Sequence, residues 1–266
     1  MASLVWIRAA TICCVGQLAF CAIVTAAPTT VGIAAASDLV FCLDDLNRQF
    51  TNAHPGVTLK TSTGSSGNFF AQIQNGAPFD VFLSADMNYP RDLIKAGFAE
   101  GSTLVQYATG RIVLWTVRTN LALTNGLLAL TDPSVKRVAI ANPAHAPYGR
   151  AARAALQHAG LWDSIQPRLV LGENISQAMQ FVHTGNADAG IVALSLVMSA
   201  KSSHQGRYVE VPANTYPPLE QGAVLTRHGA DNAAARDYLK FLQTAGAREI
   251  FDRHGFRLPR SREPAR

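Results

Sequence analysis

The sequence predicts an α/β protein in two lobes, and three observations carry that expectation. Short β-rich runs alternate with helical patterns along the whole chain. The alternation comes in two series of similar size, divided after Tyr107. The chain then passes back through one strand and ends in helices, the pattern of a chain that leaves a first lobe, builds a second and returns.

Each element has a local reason. Residues 31–35 form the first strand. From about Leu39 the apolar residues Leu39, Leu43, Leu46, Phe50 and Ala53 recur at helical spacing, until His54-Pro55-Gly56 stops the helix. Residues 57–62 make the next strand, a Gly-Ser loop follows, and a short helix runs from about Asn68 to Gln74. Asn75-Gly76 ends that helix, and Pro78 forbids its continuation. Residues 79–84 are a third, largely apolar strand. The second series reads as strands over 111–117 and 138–141, a helix over 149–158, a strand over 168–171, a helix over 176–183 and a strand over 188–193. The return strand is 222–226, and helices over 231–243 and 248–254 complete the chain. The first lobe is therefore expected to take residues 28–108 and 224–260 and the second 109–223, with hinges near 107–110 and 221–224. A single doubly wound sheet fits the same alternation.

The ends are read separately. Residues 1–27 are expected to be a signal peptide: Arg8 supplies the positive start, residues 9–24 are uncharged and mostly apolar, and Thr25-Ala26-Ala27 offers small residues for cleavage. The run is short for a membrane span. Three of the four cysteines lie in that segment, so only Cys42 is left and the processed chain has no internal disulfide. Cys42 falls on the apolar face of its helix, where a buried, inert thiol is expected. The formal charge is +5, or +4 once Arg8 is removed, and part of it sits in the basic tail at 261–266. That mild balance gives no reason to expect a nucleic-acid partner or a membrane surface, and the tail reads as a frayed terminus.

Four stretches place small or polar residues just before a helix: Ala36-Ser37-Asp38, Gly64-Ser65-Ser66-Gly67-Asn68, Pro147-Tyr148-Gly149 and Glu173-Asn174-Ile175. A helix start leaves backbone N–H groups unpaired and carries partial positive charge, so it suits an anion. One such stretch is ordinary capping, whereas four across two lobes imply closure around one small oxyanion. A serine nucleophile is the rival from another class. Thr63-Gly64-Ser65-Ser66-Gly67 approaches Gly-x-Ser-x-Gly, but Thr63 stands where the first glycine belongs and no histidine stands out as a base. The seven histidines are scattered without metal-ligand spacing, and no dinucleotide or phosphate-loop signature is present, so no cofactor is expected. Asp80 and Asp86 flank a strand end, where capping and turn roles are common.

The motifs Ala34-Ala-Ala-Ser-Asp38, Gly64-Ser-Ser-Gly67, Asn75-Gly-Ala-Pro-Phe-Asp-Val-Phe-Leu-Ser-Ala-Asp86, Ala141-Asn-Pro-Ala-His-Ala-Pro-Tyr-Gly149 and Asp188-Ala-Gly-Ile-Val192 resemble the periplasmic molybdate-binding proteins of ABC transporters. The resemblance runs in order through nearly the whole chain after residue 27. It implies a two-lobed, hinged type II periplasmic binding protein, each lobe a mixed sheet flanked by helices, with the ligand cleft between them. It further implies a monomer that binds molybdate or tungstate in the periplasm and delivers it to a membrane permease. By motif, Ser37 and Ser66 would donate hydroxyl and amide hydrogens, and Tyr148 and Ile175 main-chain N–H groups. Molybdenum would be held only as its oxyanion, through those same residues. Some members add a tyrosine hydroxyl after Gly-Ile-Val; Ala193 occupies that position, so a donor from the first loop is expected instead. Asp38 sits there, contributing its backbone N–H while its side chain caps the helix and points away. Phosphate and sulfate are alternative ligands, and Asp38 would suit phosphate as an acceptor for its proton.

Overall fold

The computed structural model describes residues 29–199 and 205–259. The expected signal peptide and basic tail lie outside those residues. The chain opens with β1 (Thr29–Ala36), α1 (Cys42–Ala53), β2 (Val57–Gly64), α2 (Ser66–Gln74), β3 (Val81–Ser84), α3 (Asn88–Lys95) and β4 (Val105–Gly110). It continues through β5 (Ile112–Thr116), β6 (Val138–Ala141), α4 (Pro147–His158), α5 (Trp162–Ile165), β7 (Leu169–Gly172), α6 (Ile175–His183), β8 (Ala189–Ala193), α7 (Leu194–Val197) and β9 (Arg207–Glu210). Then β10 (Leu219–Leu225), α8 (Ala233–Phe241) and α9 (Ala245–Arg253) close it.

Two five-stranded sheets result, in the orders β2-β1-β3-β10-β4 and β7-β6-β8-β5-β9. Both are built alike: three parallel strands, then one antiparallel strand (β10 or β5), then an edge strand (β4 or β9) antiparallel to that one. This is the two-lobed architecture expected, and not one doubly wound sheet. In the first lobe α1 buries Cys42, Leu43, Leu46 and Phe50 against β1 and the C-terminal helices, where Phe50 meets Tyr238 edge-on. Cys42 is buried, as its place on the apolar face predicts. The second lobe packs around Trp115, which is fully buried in β5.

The lobe crossings differ from their expected places. Residues 107–110 are not a slack hinge but part of β4, paired with β10; the first crossing is made at Arg111, the one residue between β4 and β5. The second expected hinge, 221–224, lies within β10, so residues 219–223 belong to the first sheet, and the return falls between Glu210 and Leu219. The alternation marks where strands are but not which sheet recruits them. Helix α1 also begins later than Leu39: residues Ser37–Leu39 form a separate 3-10 turn before it. Among the described residues no helix is long and apolar enough to cross a membrane.

The fold matters for function through its strand ends. The carboxyl ends of β1, β2, β3, β6 and β7 lead into the segments that carry Ser37, Ser66, Ala85, Tyr148 and Ile175, which line a cavity between the lobes. That is the usual place for a ligand in α/β sheets.

Candidate functional site

A small cavity is walled by Ala36, Ser37, Asp38, Gly64, Ser65 and Ser66 with Ala85 from the first lobe, and by Ala146, Pro147, Tyr148 and Ile175 from the second. All five residues singled out from the sequence, Ser37, Asp38, Ser66, Tyr148 and Ile175, line it. They come from four separate helix or turn starts. No Lys or Arg is in the wall.

Local hydrogen bonding decides which groups face the cavity as donors. Ser65 is the N-cap of α2, its Oγ accepting the Asn68 amide at 3.3 Å, while the Gly67 amide goes to the His145 carbonyl at 3.0 Å. The first-turn amide left over in α2 is that of Ser66. Helix α6 repeats the arrangement. Asn174 caps it by accepting the Gln177 amide at 3.0 Å, and the Ser176 amide reaches Ser37 Oγ at 3.4 Å, leaving the Ile175 amide. In α4 the cap Ala146 offers no side chain and Pro147 has no N–H, so Tyr148 supplies the first amide.

The hydroxyls follow the same logic. Ser66 Oγ accepts the Ala85 amide at 2.9 Å, and Ser37 Oγ accepts from Ser176, so each hydroxyl keeps its own proton to give. Ser66→Ala is therefore expected to strand the buried Ala85 amide and remove a cavity donor. The cost is about 1–3 kcal/mol of folding stability, and anion affinity falls roughly tenfold or more. Denaturant unfolding and calorimetric titration of the variant read the two effects separately.

Asp38 requires a correction. Its side chain does not cap a helix: the 3-10 turn that begins at Ser37 has Ala36 as its cap and no side-chain cap bond. Instead the carboxylate is buried, with Oδ2 accepting from the Tyr148 hydroxyl at 2.9 Å and from the Gln221 amide. The Gln221 amide also reaches Tyr148 Oη at 3.2 Å, and Ser195 Oγ donates to the Asp38 carbonyl at 2.8 Å. Asp38 Oδ1 and Gln221 Oε1 are buried without partners. Burial pushes the Asp38 carboxyl up to about 6, against the opposing pull of Gln221 and Tyr148. Tyr148, expected to act through its main chain, thus also ties the lobes together through its side chain.

The lobes meet through several other bonds around the cavity. Asn68 reaches Glu173, Arg150 pairs with Asp86, and Arg150 also donates to Tyr89 Oη at 3.1 Å. Asp86 meanwhile accepts the Asn88 and Tyr89 amides at 3.1 Å, a turn role of the kind common at strand ends. Ser65 Oγ lies 3.0 Å from His145 Nδ1, and His145 Nε2 lies 3.8 Å from Glu173. The histidine that the sequence did not offer to Ser65 is therefore present, brought across from the other lobe. Ser65 Oγ, however, is already committed to capping α2. Among the described residues no cluster of His, Cys, Asp and Glu could hold a metal ion.

Residues 31–257 match the bacterial extracellular solute-binding protein family. The molybdate-binding protein ModA of Rhodobacter capsulatus is 42% identical over 201 residues, 76% of this chain and 78% of its own. That of Azotobacter vinelandii is 39% identical over 228 residues, 86% of this chain and 90% of its own. The solved structure of the Azotobacter vinelandii periplasmic molybdate-binding protein superposes with a TM-score of 0.81 at 35% identity, covering 86% of this chain and 99% of that one. These relatives are binding proteins, so the protein is not a hydrolase acting through Ser65 or Ser66. With two like-built lobes, helix starts gathered on one cavity and this similarity along its length, the chain belongs to the bacterial extracellular solute-binding proteins, in the branch of the periplasmic molybdate-binding proteins.

Proposed function

We propose that the protein binds molybdate, and tungstate as well, in the periplasm and presents it to the permease of an ABC transporter. The observation that carries this reading is the donor set of the cavity. Ser37 and Ser66 bring hydroxyls with a proton to give, and Ser66, Tyr148 and Ile175 bring first-turn amides. Molybdate at neutral pH is a fully deprotonated tetrahedral dianion that needs donors from several directions and no acceptor. Fixed N–H and O–H dipoles replace its hydration shell without an opposing cation. The Asp38 amide, in the turn after β1, joins this set in place of the tyrosine hydroxyl that Ala193 lacks.

Closure is part of the mechanism. Donors come from both lobes, so the full set exists only when the lobes are together, and the anion favours that state by its differential contacts. The closed pair of lobes then forms the surface that a permease reads. Sulfate has the same charge and shape as molybdate but is smaller, so cavity size discriminates between them. Molybdate is cargo and no resident cofactor is needed.

Thermal unfolding of the purified protein with molybdate, tungstate, sulfate and phosphate at matched ionic strength tests the reading. An anion at about a hundred times its Kd should stabilise the native state by roughly 2.7 kcal/mol. A rise in Tm with molybdate and tungstate alone is the expected result. A rise with phosphate or sulfate instead would reassign the ligand, and no rise with any of the four would remove the oxyanion reading.

A further inference from the structure

The amides of Ser66, Tyr148 and Ile175 belong to three helix starts in two lobes, and four side chains tie those starts together. Ser65 directly precedes Ser66, Asn68 shares the first turn of α2, His145 stands three residues before Tyr148 and Glu173 two before Ile175. Ser65 Oγ accepts the Asn68 amide at 3.3 Å and lies 3.0 Å from His145 Nδ1. His145 Nε2 lies 3.8 Å from Glu173 Oε1, and the Asn68 side-chain amide donates to that same oxygen. The circuit Ser65–His145–Glu173–Asn68 closes on itself and crosses between the lobes twice. Inside the second lobe the lead-ins to α4 and α6 are already joined, the Asn142 amide donating to the Gly172 carbonyl at 2.7 Å. The two crossings therefore fix one unit against another: the α2 start on one side, the α4 and α6 starts on the other.

Glu173 decides where the hydrogens go. The contact of 3.8 Å is too long for a hydrogen bond, but a carboxylate facing the lone pair of Nε2 would repel it, so Nε2 carries hydrogen. In the neutral imidazole Nδ1 is then the acceptor, and the Ser65 hydroxyl donates to it. With that hydrogen on His145, Ser65 Oγ has none left for an anion, although Ser65 lines the cavity. Asn68, His145 and Glu173 stand outside the cavity wall. We infer that this circuit positions the amide donors of Ser66, Tyr148 and Ile175 against one another in the closed protein. His145 is its central positioning residue, and the circuit raises oxyanion affinity without Asn68, His145 or Glu173 touching the anion. This inference rests on the oxyanion reading above. The His145 carbonyl separately accepts the Gly67 amide at 3.0 Å and the Tyr89 hydroxyl at 3.3 Å, contacts that a side-chain substitution at position 145 leaves in place.

The test is calorimetric titration with molybdate, together with dissociation kinetics, on wild type, His145→Ala, Asn68→Ala, the double variant and His145→Asn. Each single alanine should raise the Kd about tenfold, chiefly by faster dissociation, with the melting temperature of the unliganded protein unchanged. The double variant should bind about thirtyfold more weakly than wild type. That is well short of the roughly hundredfold that independent contacts give, because either deletion opens the same circuit. In His145→Asn the side-chain oxygen comes near the place of Nδ1 and can accept from Ser65, but the shorter side chain stops short of Glu173. This variant should bind only about threefold more weakly than wild type. Single variants that bind as wild type does, a double variant about a hundredfold weaker, or a His145→Asn variant no better than His145→Ala would each overturn the inference and leave the oxyanion reading intact. Weaker binding accompanied by a lower melting temperature of the unliganded variants would also overturn it, by making these residues props of the fold. Failure of wild type to bind molybdate would remove both the inference and the reading it rests on.

Discussion

Replacing Gly67 by alanine is expected to weaken oxyanion binding about a hundredfold while leaving the unliganded fold as stable as before. Gly67 occupies the first turn of α2 with an ordinary backbone, where alanine is the better helix former by about 0.5–1 kcal/mol. A Cβ there would nonetheless sit 2.5 Å from the His145 carbonyl oxygen, 2.9 Å from the His145 Cβ and 2.7 Å from the Tyr89 hydroxyl. Tyr89 belongs to the same lobe and is the far end of a side chain that can yield. His145 belongs to the other lobe, and its carbonyl is backbone, so relief comes by parting the lobes. The closed state would then lose the bond from the Gly67 amide to His145, 3.0 Å long, and strain the donor set drawn from both sides. Overpacking typically costs 1–3 kcal/mol and a lost hydrogen bond about 1, which together make roughly 3 kcal/mol, or about two decades in Kd. Calorimetric titration gives the Kd, and melting of the unliganded variant reports the fold. A Kd within threefold of wild type would mean that closure does not depend on this contact.

The dependence of binding on a contact 78 residues apart in sequence also shows where sequence reading succeeds and where it stops. Helix starts are local events. Ser65, Asn174 and Pro147 announce α2, α6 and α4 by their own chemistry, and the apolar spacing from Leu39 to Phe50 announces α1, so the four helix-start stretches can be found without coordinates, while the individual residues Ser37, Asp38, Ser66, Tyr148 and Ile175 come from the family resemblance. Strand Val138–Ala141 is equally legible, being short, apolar and bounded by turn residues. By contrast α3 is short, carries Pro90 near its start and buries only that residue and Leu93, too brief a pattern to be marked in the sequence. Strand β4 reads as a hinge because Ala108 and Gly110 have little strand character; its pairing with β10 is what makes it a strand. The carboxylate network is the extreme case. Asp38 lies 110 residues from Tyr148 and 183 from Gln221, and no spacing rule links three groups that meet only after both lobes have formed. The local preference of Asp for helix starts points to capping, and the tertiary burial overrides it. The pairing of Ser65 with His145 escaped for the same reason.

That network predicts an unusual pH dependence for the unliganded protein. The Asp38 carboxyl has an ordinary value of 3.8 when the chain is unfolded and about 6 in the native state, because burial penalises the charge more than Tyr148 and Gln221 relieve it. Between those values the unfolded chain has released its proton and the native state still holds it, so each rise in pH favours unfolding. The contribution is fully present below about pH 4 and is lost as pH rises through about 6. That displacement corresponds to about 3 kcal/mol. Paired carboxylates act with the opposite sign and in a lower window. Asp45, held down by His254, and Glu100, held near 2 by Arg236, favour the native state above the unfolded carboxyl value and lose that effect only as pH falls. Comparing wild type with Asp38→Asn isolates the one group, since both chains share the rest. The variant should match wild type near pH 4 and exceed it by about 3 kcal/mol at pH 7, measured by urea unfolding at each pH. Equal stabilities at pH 7 would mean that the native state accommodates the Asp38 charge without cost, through rearrangement at the unpartnered Oδ1. A destabilised variant at every pH would mean that the carboxylate itself holds Tyr148 and Gln221 in place, and that the lobe contact is ionic in character rather than a hydrogen bond between neutral groups.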